Sequence, residues 1–452
     1  MDMSFEGKKI LVCGMARSGV AAAKCLHDCG AIVTINDNKT EEALAEALKP
    51  LEGLNIAKAL GGAKVDMTAF DLLVTSPGIP MTAPILKQAQ EAGLPIIGEL
   101  EAGAQVSRAP LYAITGTNGK TTTTTLIGEI FKNNGKRAHV VGNIGYPFTA
   151  CAIEACEEDV AVAEVSSFQL ETTVTFHPHV AIMCNITEDH LNRHGTMEEY
   201  IRIKERIFEK MGAEDYAVLN YDDEIVRGMA QRVQCQAAFF SHKAEVLLGT
   251  YVEDGKMIFV KDGVKMPVID VEEIYIPGEH NLENALGAAA LTLLAGVPVE
   301  VVKHTLKTFT GVEHRIETVR TVDGVTYIND SKGTNVDASI KAVRTMRVGT
   351  VLLAGGYDKH TDFVPFAKEI KESKIHTVVT LGDTAQQIED ALKTVGYDSF
   401  VRAGSFEDAV MKAKGLAKAG ENVLLSPACA SFDMFKDYEE RGRVFKEIVN
   451  AM

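Results

Sequence analysis

The run Leu111-Tyr112-Ala113-Ile114-Thr115, followed by Gly116-Thr117-Asn118-Gly119-Lys120-Thr121-Thr122, decides the fold. The first five residues read as a short strand. The glycines after them make a turn, and the next segment reads as a helix to about residue 134. At such a junction, backbone N–H groups and the helix N-terminus can cradle phosphates. Lys120 would reach the terminal phosphates and the Thr121 hydroxyl would bind Mg²⁺. A strict phosphate loop has glycine at position 114, where this chain has Ile114. The loop is therefore a variant, and an ordinary strand-to-helix turn is the competing reading.

Upstream, Lys8–Cys13 reads as a strand and the turn Gly14-Met15-Ala16-Arg17-Ser18-Gly19 leads into a helix through Cys29. A second strand, Ala31–Asn36, ends at Asp37, and a third, Asp71–Thr75, is capped by Ser76-Pro77-Gly78. Strand, glycine turn, helix, strand and terminal acid describe a Rossmann-like half. Ala16 replaces the middle glycine of the dinucleotide pattern, so a dinucleotide, another diphosphate or a purely structural turn all fit.

Downstream, Val160–Val165 and His179–Asn185 are strands. Residues 237–276 read as an antiparallel meander, with Asp254-Gly255 and Asp262-Gly263 as turns. A helix follows from Asn281 to Ala295. Beyond Glu313, strands at Val325–Asn329, Thr350–Ala354, His376–Leu381 and Asn422–Leu425 alternate with helices. The whole chain is thus α/β, with three expected domains. These are a Rossmann-like domain (1–108), a central P-loop-type ATPase domain with a small antiparallel element (109–312), and a doubly wound α/β domain (313–452).

Of the 452 residues, 46% are hydrophobic and 24% charged, and the net charge is −16. An acidic chain lacks the basic footprint of a nucleic-acid binder. No apolar run is long enough to span a bilayer, and the first residues show no signal pattern. The expectation is a cytoplasmic monomer that binds neither nucleic acid nor membrane. Eight scattered cysteines read as reduced thiols. Cys25 and Cys29 share a helix but lack the second pair that a metal site requires.

Further clusters carry chemistry. Glu164 interrupts an apolar strand, which is costly unless the carboxylate is paired or metal-bound. Asn185-Ile-Thr187-Glu188-Asp189-His190 supplies oxygen and nitrogen ligands at a strand's carboxyl end, where open α/β sheets bind ligands. Asp189 could instead cap a helix, and His190 could be a satisfied polar residue. Asp330-Ser331-Lys332-Gly333-Thr334-Asn335, Lys359 and Ser426–Ser431 all follow strands and could face one crevice, although the first could be only a capped turn. Met197, Tyr200, Ile201, Phe208 and Met211 form one apolar stripe on a helix spanning Met197–Met211. Lys204 falls on that stripe, so it either snorkels to solvent or is buried with a shifted pKa.

Taken in order, Gly116–Thr121, Glu164-Val-Ser-Ser-Phe-Gln-Leu-Glu171, Asn185–His190, His280-Asn-Leu-Glu-Asn284, Glu313-His-Arg315, Asn329–Thr334 and Leu425–Ser431 resemble the Mur ligases, and the resemblance covers essentially the whole chain. It implies an ATP-dependent amide ligase with two Mg²⁺ sites. The member that fits best adds D-glutamate to UDP-N-acetylmuramoyl-L-alanine through an acyl phosphate. The resemblance places ATP on Gly116, Thr117, Asn118, Gly119, Lys120, Thr121 and Thr122, on Asn281 and Asn284 near the adenine, and on Arg315, Asp330 and Lys332. It places metal on Thr121 and Glu164, and on His190 with a carbamylated Lys204. The UDP-sugar path would be lined by Gly14, Met15, Ala16, Asp37, Asn38, Ser76, Gly78 and Asn143. The amino acid would meet Thr334, Lys359, Ser431, Phe432 and Tyr438. Tyr438 stands where the family pattern leads us to expect phenylalanine.

Rival readings are another ligase of the same superfamily using a different amino acid, such as a folylpolyglutamate synthase, an NAD(P)-dependent oxidoreductase, and a nucleotide-switch protein. Neither of the last two accounts for Glu164, the 185–190 cluster and Arg315 together.

Overall fold

Mostly apolar runs of three to seven residues, bounded by glycine, proline or polar residues, become the strands of three sheets. The computed structural model describes residues 5–358 and 361–452, and Lys359 of the expected amino-acid site falls outside the described residues. The chain forms two compact units, Met1–Phe309 and Thr310–Met452.

The first unit holds two sheets. Strands β1 (Lys9–Cys13), β2 (Ile32–Asp37), β3 (Ala57–Leu60), β4 (Leu72–Thr75) and β5 (Ile96–Gly98) make a parallel sheet of order β3-β2-β1-β4-β5. Chain order reverses at β1/β4, so the Gly14 turn and Ser76 flank the switch point where such sheets bind ligands.

The second sheet has nine strands: β6 (Leu111–Thr115), β7 (Ala138–Gly142), β8 (Val160–Glu164), β9 (Val180–Met183), β10 (Tyr216–Asn220), β11 (Gln236–Ser241), β12 (Gly249–Glu253), β13 (Lys256–Lys261) and β14 (Val264–Asp270). Their order is β14-β13-β12-β11-β10-β9-β6-β8-β7. β6, β8 and β9 are buried throughout, as parallel strands covered by helices must be, while β7 at the sheet edge is mostly half-buried.

The expected meander over 237–276 needs correction. β11 runs parallel to both β10 and β12, and only β12, β13 and β14 are antiparallel. The segment extends the central sheet, and its antiparallel part is β12 to β14. Period-2 patterning reports the faces of a strand but not the direction of its neighbour, so the sequence left pairing open.

Two buried carboxylates join the sheets of this unit. Both lie on the helix Glu99–Val106 that follows β5. Glu101 accepts hydrogen bonds from the backbone N–H groups of Val174, Thr175 and Phe176 at 2.8–3.0 Å. Glu99 accepts from the Thr149 N–H and hydroxyl, both at 2.7 Å.

The second unit is a six-stranded sheet of order β15-β16-β20-β17-β18-β19. Its strands are β15 (Glu317–Val322), β16 (Val325–Asn329), β17 (Thr350–Gly355), β18 (Ile375–Leu381), β19 (Phe400–Arg402) and β20 (Asn422–Leu425). Only β15 is antiparallel to its neighbour. Cores on both faces, centred on Leu352, Phe366 and Ile370 and on Val351, Leu353 and Phe445, make it doubly wound. No helix among the described residues is long and apolar enough to cross a membrane.

Candidate active site

The loop after β6 has the cradle geometry. Gly119 sits at φ +82°, and a Cβ there would lie 2.4 Å from Asn284 Oδ1, so only glycine fits. Lys120 opens the helix Lys120–Asn133 and curls back, its Nζ donating to the carbonyl oxygens of Gly116 and Thr117, both at 2.9 Å. Asn185, just past β9, fixes the loop from outside. Its Oδ1 accepts from the Asn118 N–H at 2.8 Å, its Nδ2 donates to the Asn118 carbonyl at 3.2 Å, and its own carbonyl accepts from the Thr117 N–H at 2.9 Å. The Thr117 hydroxyl accepts from the Thr187 N–H at 3.0 Å and lies 3.1 Å from the Tyr200 hydroxyl. Thr121 is half-buried and Thr122 buried. Thr123 Oγ1 donates to Asn284 Oδ1 at 3.2 Å, and Asn284 in turn donates to Asn281 Oδ1 at 3.3 Å. The two asparagines expected near adenine therefore adjoin the loop.

Glu164 ends β8, in register with Ile114 and Gly142 on its neighbours. It is 1% exposed. Its Oε1 accepts from Asn143 Nδ2 at 2.8 Å, while Oε2 is enclosed without a hydrogen-bond partner among the described residues. A buried carboxylate oxygen with no donor suits a cation, which is the test that a metal-holding residue must pass here. Asn143, expected along the UDP-sugar path, also orients this carboxylate.

Lys204 takes the buried alternative. It is 1% exposed, donates to the Gly116 carbonyl at 2.8 Å and to Thr115 Oγ1 at 3.2 Å, and lies 5.1 Å from the Tyr200 ring centroid. Burial, then the nearby Lys120 ammonium, lowers its pKa to about 7. The helix that carries it is shorter than expected, Met197–Glu205, and tightens to a 3-10 turn at Arg206–Phe208. The apolar stripe continues through that turn, which is why periodicity alone overran the helix end.

His190 follows in the left-handed region, φ 52°, before the single turn Leu191–His194. Its backbone N–H donates to Asp189 Oδ1 at 2.9 Å, so Asp189 holds the bend and caps no helix. The half-exposed imidazole packs against Phe168 at 4.8 Å between ring centroids. Arg193, paired with Glu171 at 2.5 Å, covers that same phenyl ring at 4.1 Å.

At the first sheet's switch point, Asp37 closes the glycine turn. Its Oδ2 accepts from the Met15 N–H at 2.7 Å and its Oδ1 from the Lys39 N–H at 2.9 Å. Ser76 Oγ donates to the Gly14 carbonyl at 2.8 Å. Ala16, Asn38 and Gly78 are exposed around this turn and Met15 is buried beneath it.

In the second unit, Asp330 follows β16 and is buried. Its Oδ2 accepts from Ser426 Oγ at 2.7 Å and its Oδ1 from the Ile316 N–H at 3.2 Å. Burial raises its pKa to about 7 against the lowering pull of Ser426 and Arg315. The cap of the next helix is Asn335, so Asp330 is more than a capped turn. Lys332 Nζ lies 6.0 Å from the Tyr438 ring centroid. Arg315 and Thr334 are half-buried, Ser431 is buried and Phe432 is 62% exposed.

The sequence reading gave no role to Asn185, although it stands inside a quoted motif, or to Arg441. Arg441 is buried and donates to Ser331 Oγ and to the carbonyls of Ser331, Ala430 and Cys429 at 2.8–3.3 Å. The available signal was a basic residue aligned four and eight positions before Phe445 and Val449, the same pattern that exposed Lys204.

Three family descriptions match successive parts of the chain: "Mur ligase MurD-like, N-terminal domain" over residues 8–98, "Mur ligase middle domain" over 114–292, and "Mur ligase, glutamate ligase domain" over 314–429. The chain belongs to the Mur ligase family, with its three domains in order. Among its relatives, a protein of Thermoanaerobacter sp. (strain X514) named UDP-N-acetylmuramoylalanine--D-glutamate ligase is 48% identical over 450 residues, covering 99% of each chain. One of the same name from Clostridioides difficile (strain 630) is 43% identical over 452 residues, covering 100% of both. Among solved structures, the UDP-N-acetylmuramate-alanine ligase of Thermotoga maritima matches with a TM-score of 0.60 at 20% identity, over 98% of this chain and 99% of that one. A MurF ligase of Thermotoga maritima in complex with ADP matches with a TM-score of 0.58 at 15% identity, over 99% and 96%. These two share the fold.

Proposed function

We propose that the protein is the ATP-dependent ligase that adds D-glutamate to UDP-N-acetylmuramoyl-L-alanine in cytoplasmic peptidoglycan precursor synthesis. The observation that carries this reading is the match, end to end and at 43–48% identity, to proteins bearing that name. The geometry supplies the chemistry. A carboxylate is a poor electrophile and repels an anionic phosphate, so the site must gather positive charge around ATP. Lys120 and the N-terminus of the helix it opens do so. Lys120 then exchanges its two carbonyl partners for phosphate oxygens. Two Mg²⁺ ions, when bound, would screen phosphate charge, held by Thr121 and Glu164 and by His190 with a carbamylated Lys204. Lys204 with a pKa near 7 supplies the neutral amine that carbamylation by carbon dioxide needs. In the second unit, Arg315, Asp330 and Lys332 bind ATP, while Thr334, Lys359, Ser431, Phe432 and Tyr438 hold the amino acid. The substrate carboxylate attacks the γ-phosphorus, ADP leaves, and the D-glutamate amine displaces phosphate from the acyl phosphate to give the amide.

The experiment is phosphate release from ATP with UDP-N-acetylmuramoyl-L-alanine and a panel of amino acids. D-Glutamate alone should support turnover. Equal turnover with L-glutamate, L-lysine or diaminopimelate would transfer the protein to another ligase of the family.

A further inference from the structure

The ends of β10 and β11 and the first turns of the helix Glu279–Leu294 bring together Asp222, His242, Glu279 and Glu283. None of the four has a part in the ligase chemistry above. His242 Nε2 lies 2.8 Å from Glu279 Oε1. A carboxylate can only accept, so that nitrogen carries the proton. In the neutral ring, Nδ1 is then a bare lone pair. It faces Asp222 Oδ2 at 2.9 Å and Glu283 Oε1 at 3.5 Å, and it is shut off from water with no aligned hydrogen-bond partner among the described residues. One ring nitrogen and two carboxylate oxygens thus converge within 4.8 Å of one another. The side chains are enclosed, Asp222 at 5% and His242 at 11% exposure, with Glu283 at 28% on the solvent side.

A lone pair facing two carboxylates is repulsive, so a second proton or a metal ion must stand between Nδ1 and the carboxylate oxygens. We infer that Asp222, His242 and Glu283 bind one divalent cation of the zinc class, a site separate from that of Glu164 and His190. Metal–ligand distances of ~2.0–2.2 Å at tetrahedral angles put neighbouring ligand atoms roughly 3.3 Å apart, and the observed 2.9 and 3.5 Å bracket that spacing. The surrounding bonds are those of a metal ligand set. Glu279 accepts the hydrogen bond of the far ring N–H, which orients the imidazole and raises its basicity. Asp222 is held by the Ser241 hydroxyl at 2.6 Å and by the His242 N–H at 2.8 Å. A ring nitrogen among the ligands favours Zn²⁺, Co²⁺ or Ni²⁺ over the oxygen-seeking Mg²⁺ and Ca²⁺. The fourth position opens past Glu283 to solvent. A cation there ties two strand ends to the helix that carries Asn281 and Asn284, and so stiffens the support of the phosphate loop.

The test uses metal-stripped full-length protein titrated with Zn²⁺ by calorimetry and with Co²⁺ by visible absorption, in excess Mg²⁺. One equivalent should bind, with the visible bands of low-symmetry Co²⁺ and no thiolate charge-transfer band, and Zn²⁺ should raise the melting temperature. His242→Gln and Glu283→Gln should each weaken binding by at least ~10-fold and remove the thermal shift, and Glu279→Gln should weaken it by ~10–100-fold through the ring. Circular dichroism verifies that the variants fold, and Glu283→Gln, on a helix surface, secures the test if His242→Gln does not. His190→Gln should bind the cation as the parent does. Absence of binding, binding that survives both His242→Gln and Glu283→Gln, a thiolate band, or loss of binding in His190→Gln would overturn the inference.

Discussion

Lys204 donates a hydrogen bond to the carbonyl oxygen of Gly116 at 2.8 Å, which brings a buried amine against the backbone of the phosphate loop. Its pKa, about 7, lies far below the ordinary 10.5. Between those two values the unfolded chain binds more protons than the folded one, so this group makes stability rise with pH across that window. Below about pH 7 both states are protonated and the full cost of the buried charge is felt. Lys204→Met should therefore stabilise the protein at neutral pH, by about 0.5–2 kcal/mol, as relief of functional strain usually does. The gain should shrink as pH approaches 10.5. Melting curves across pH measure this. The same variant, and Lys204→Arg, which cannot form a carbamate, should lose turnover, as should Lys204→Ala, whose vacated space lets acetate restore part of it. An active Lys204→Arg enzyme would end the carbamate proposal.

Glu164 has one oxygen satisfied by Asn143 and one with no donor among the described residues. Glu164→Gln should lower kcat by at least ~10²-fold, the scale of losing one group that stabilises transition-state charge, while melting stays near that of the parent. Asn143→Ala leaves the carboxylate but frees its orientation. It should raise the Mg²⁺ concentration needed for half-maximal rate by ~10–100-fold. Equal Mg²⁺ dependence in parent and Asn143→Ala would show that Asn143 orients nothing.

Much of this was legible in the chain because strand-to-helix junctions carry their chemistry locally. Residues 111–122 spell the strand, the glycine that must adopt positive φ and the helix, and the structure follows them residue by residue. Lys204 was readable as an anomaly, since a cation on an apolar stripe has only two outcomes. What resisted reading depends on partners distant in sequence. The parallel pairing of β11 with β12 has no local signature, and the strands β3, β5, β7 and β19 are too short or too polar to stand out. Asn185 shares a motif with His190, but its hydrogen bonds to Asn118 span 67 residues. Arg441 serves carbonyls as far as 110 positions away. Asp37 looked like a ligand's acid and is also the clasp of its own turn.

Asp330 is the reverse of Lys204. Its pKa is raised from 3.8 to about 7, so between those values the folded protein binds more protons than the unfolded chain, and stability falls as pH rises through the window. Asp330→Asn keeps the shape and removes the charge, and Ser426 can turn its hydroxyl to accept from the new amide. The variant should gain on the parent steadily from about pH 4 to about pH 7 and hold a constant lead above it. That lead should be at least ~1.4 kcal/mol, the worth of one pKa unit. Paired denaturation curves over this range give the difference directly, and a flat difference would mean that Asp330 is ionised without cost. ATP use should weaken in the same variant.

Glu101 tests what holds the two sheets of the first unit together. It is fully buried, and its two oxygens accept three consecutive backbone N–H groups, Val174 to Phe176, together with the Thr175 hydroxyl at 2.5 Å and the Gln105 amide at 2.6 Å. Among these, the backbone groups cannot turn elsewhere, because the segment 174–176 leads into Phe176, itself part of the core. Removing the acceptor leaves them buried and unmade, at a cost of ~1–3 kcal/mol for each group that water fails to reach. Glu101→Ala should accordingly cost about 3–5 kcal/mol, the range for stripping one partner from a buried charged network. Glu101→Gln replaces one of the two oxygens with a donor that would face N–H groups, so it should also destabilise, though less, because one oxygen still accepts. Urea denaturation of parent and both variants orders the three stabilities. Because the lost bonds tie the helix Glu99–Val106 to the segment between β8 and β9, hydrogen exchange should speed first at Val174, Thr175 and Phe176 and leave β6 protected. Uniform deprotection of the whole unit, or a Glu101→Ala variant as stable as the parent, would show that the sheets are joined by apolar packing alone.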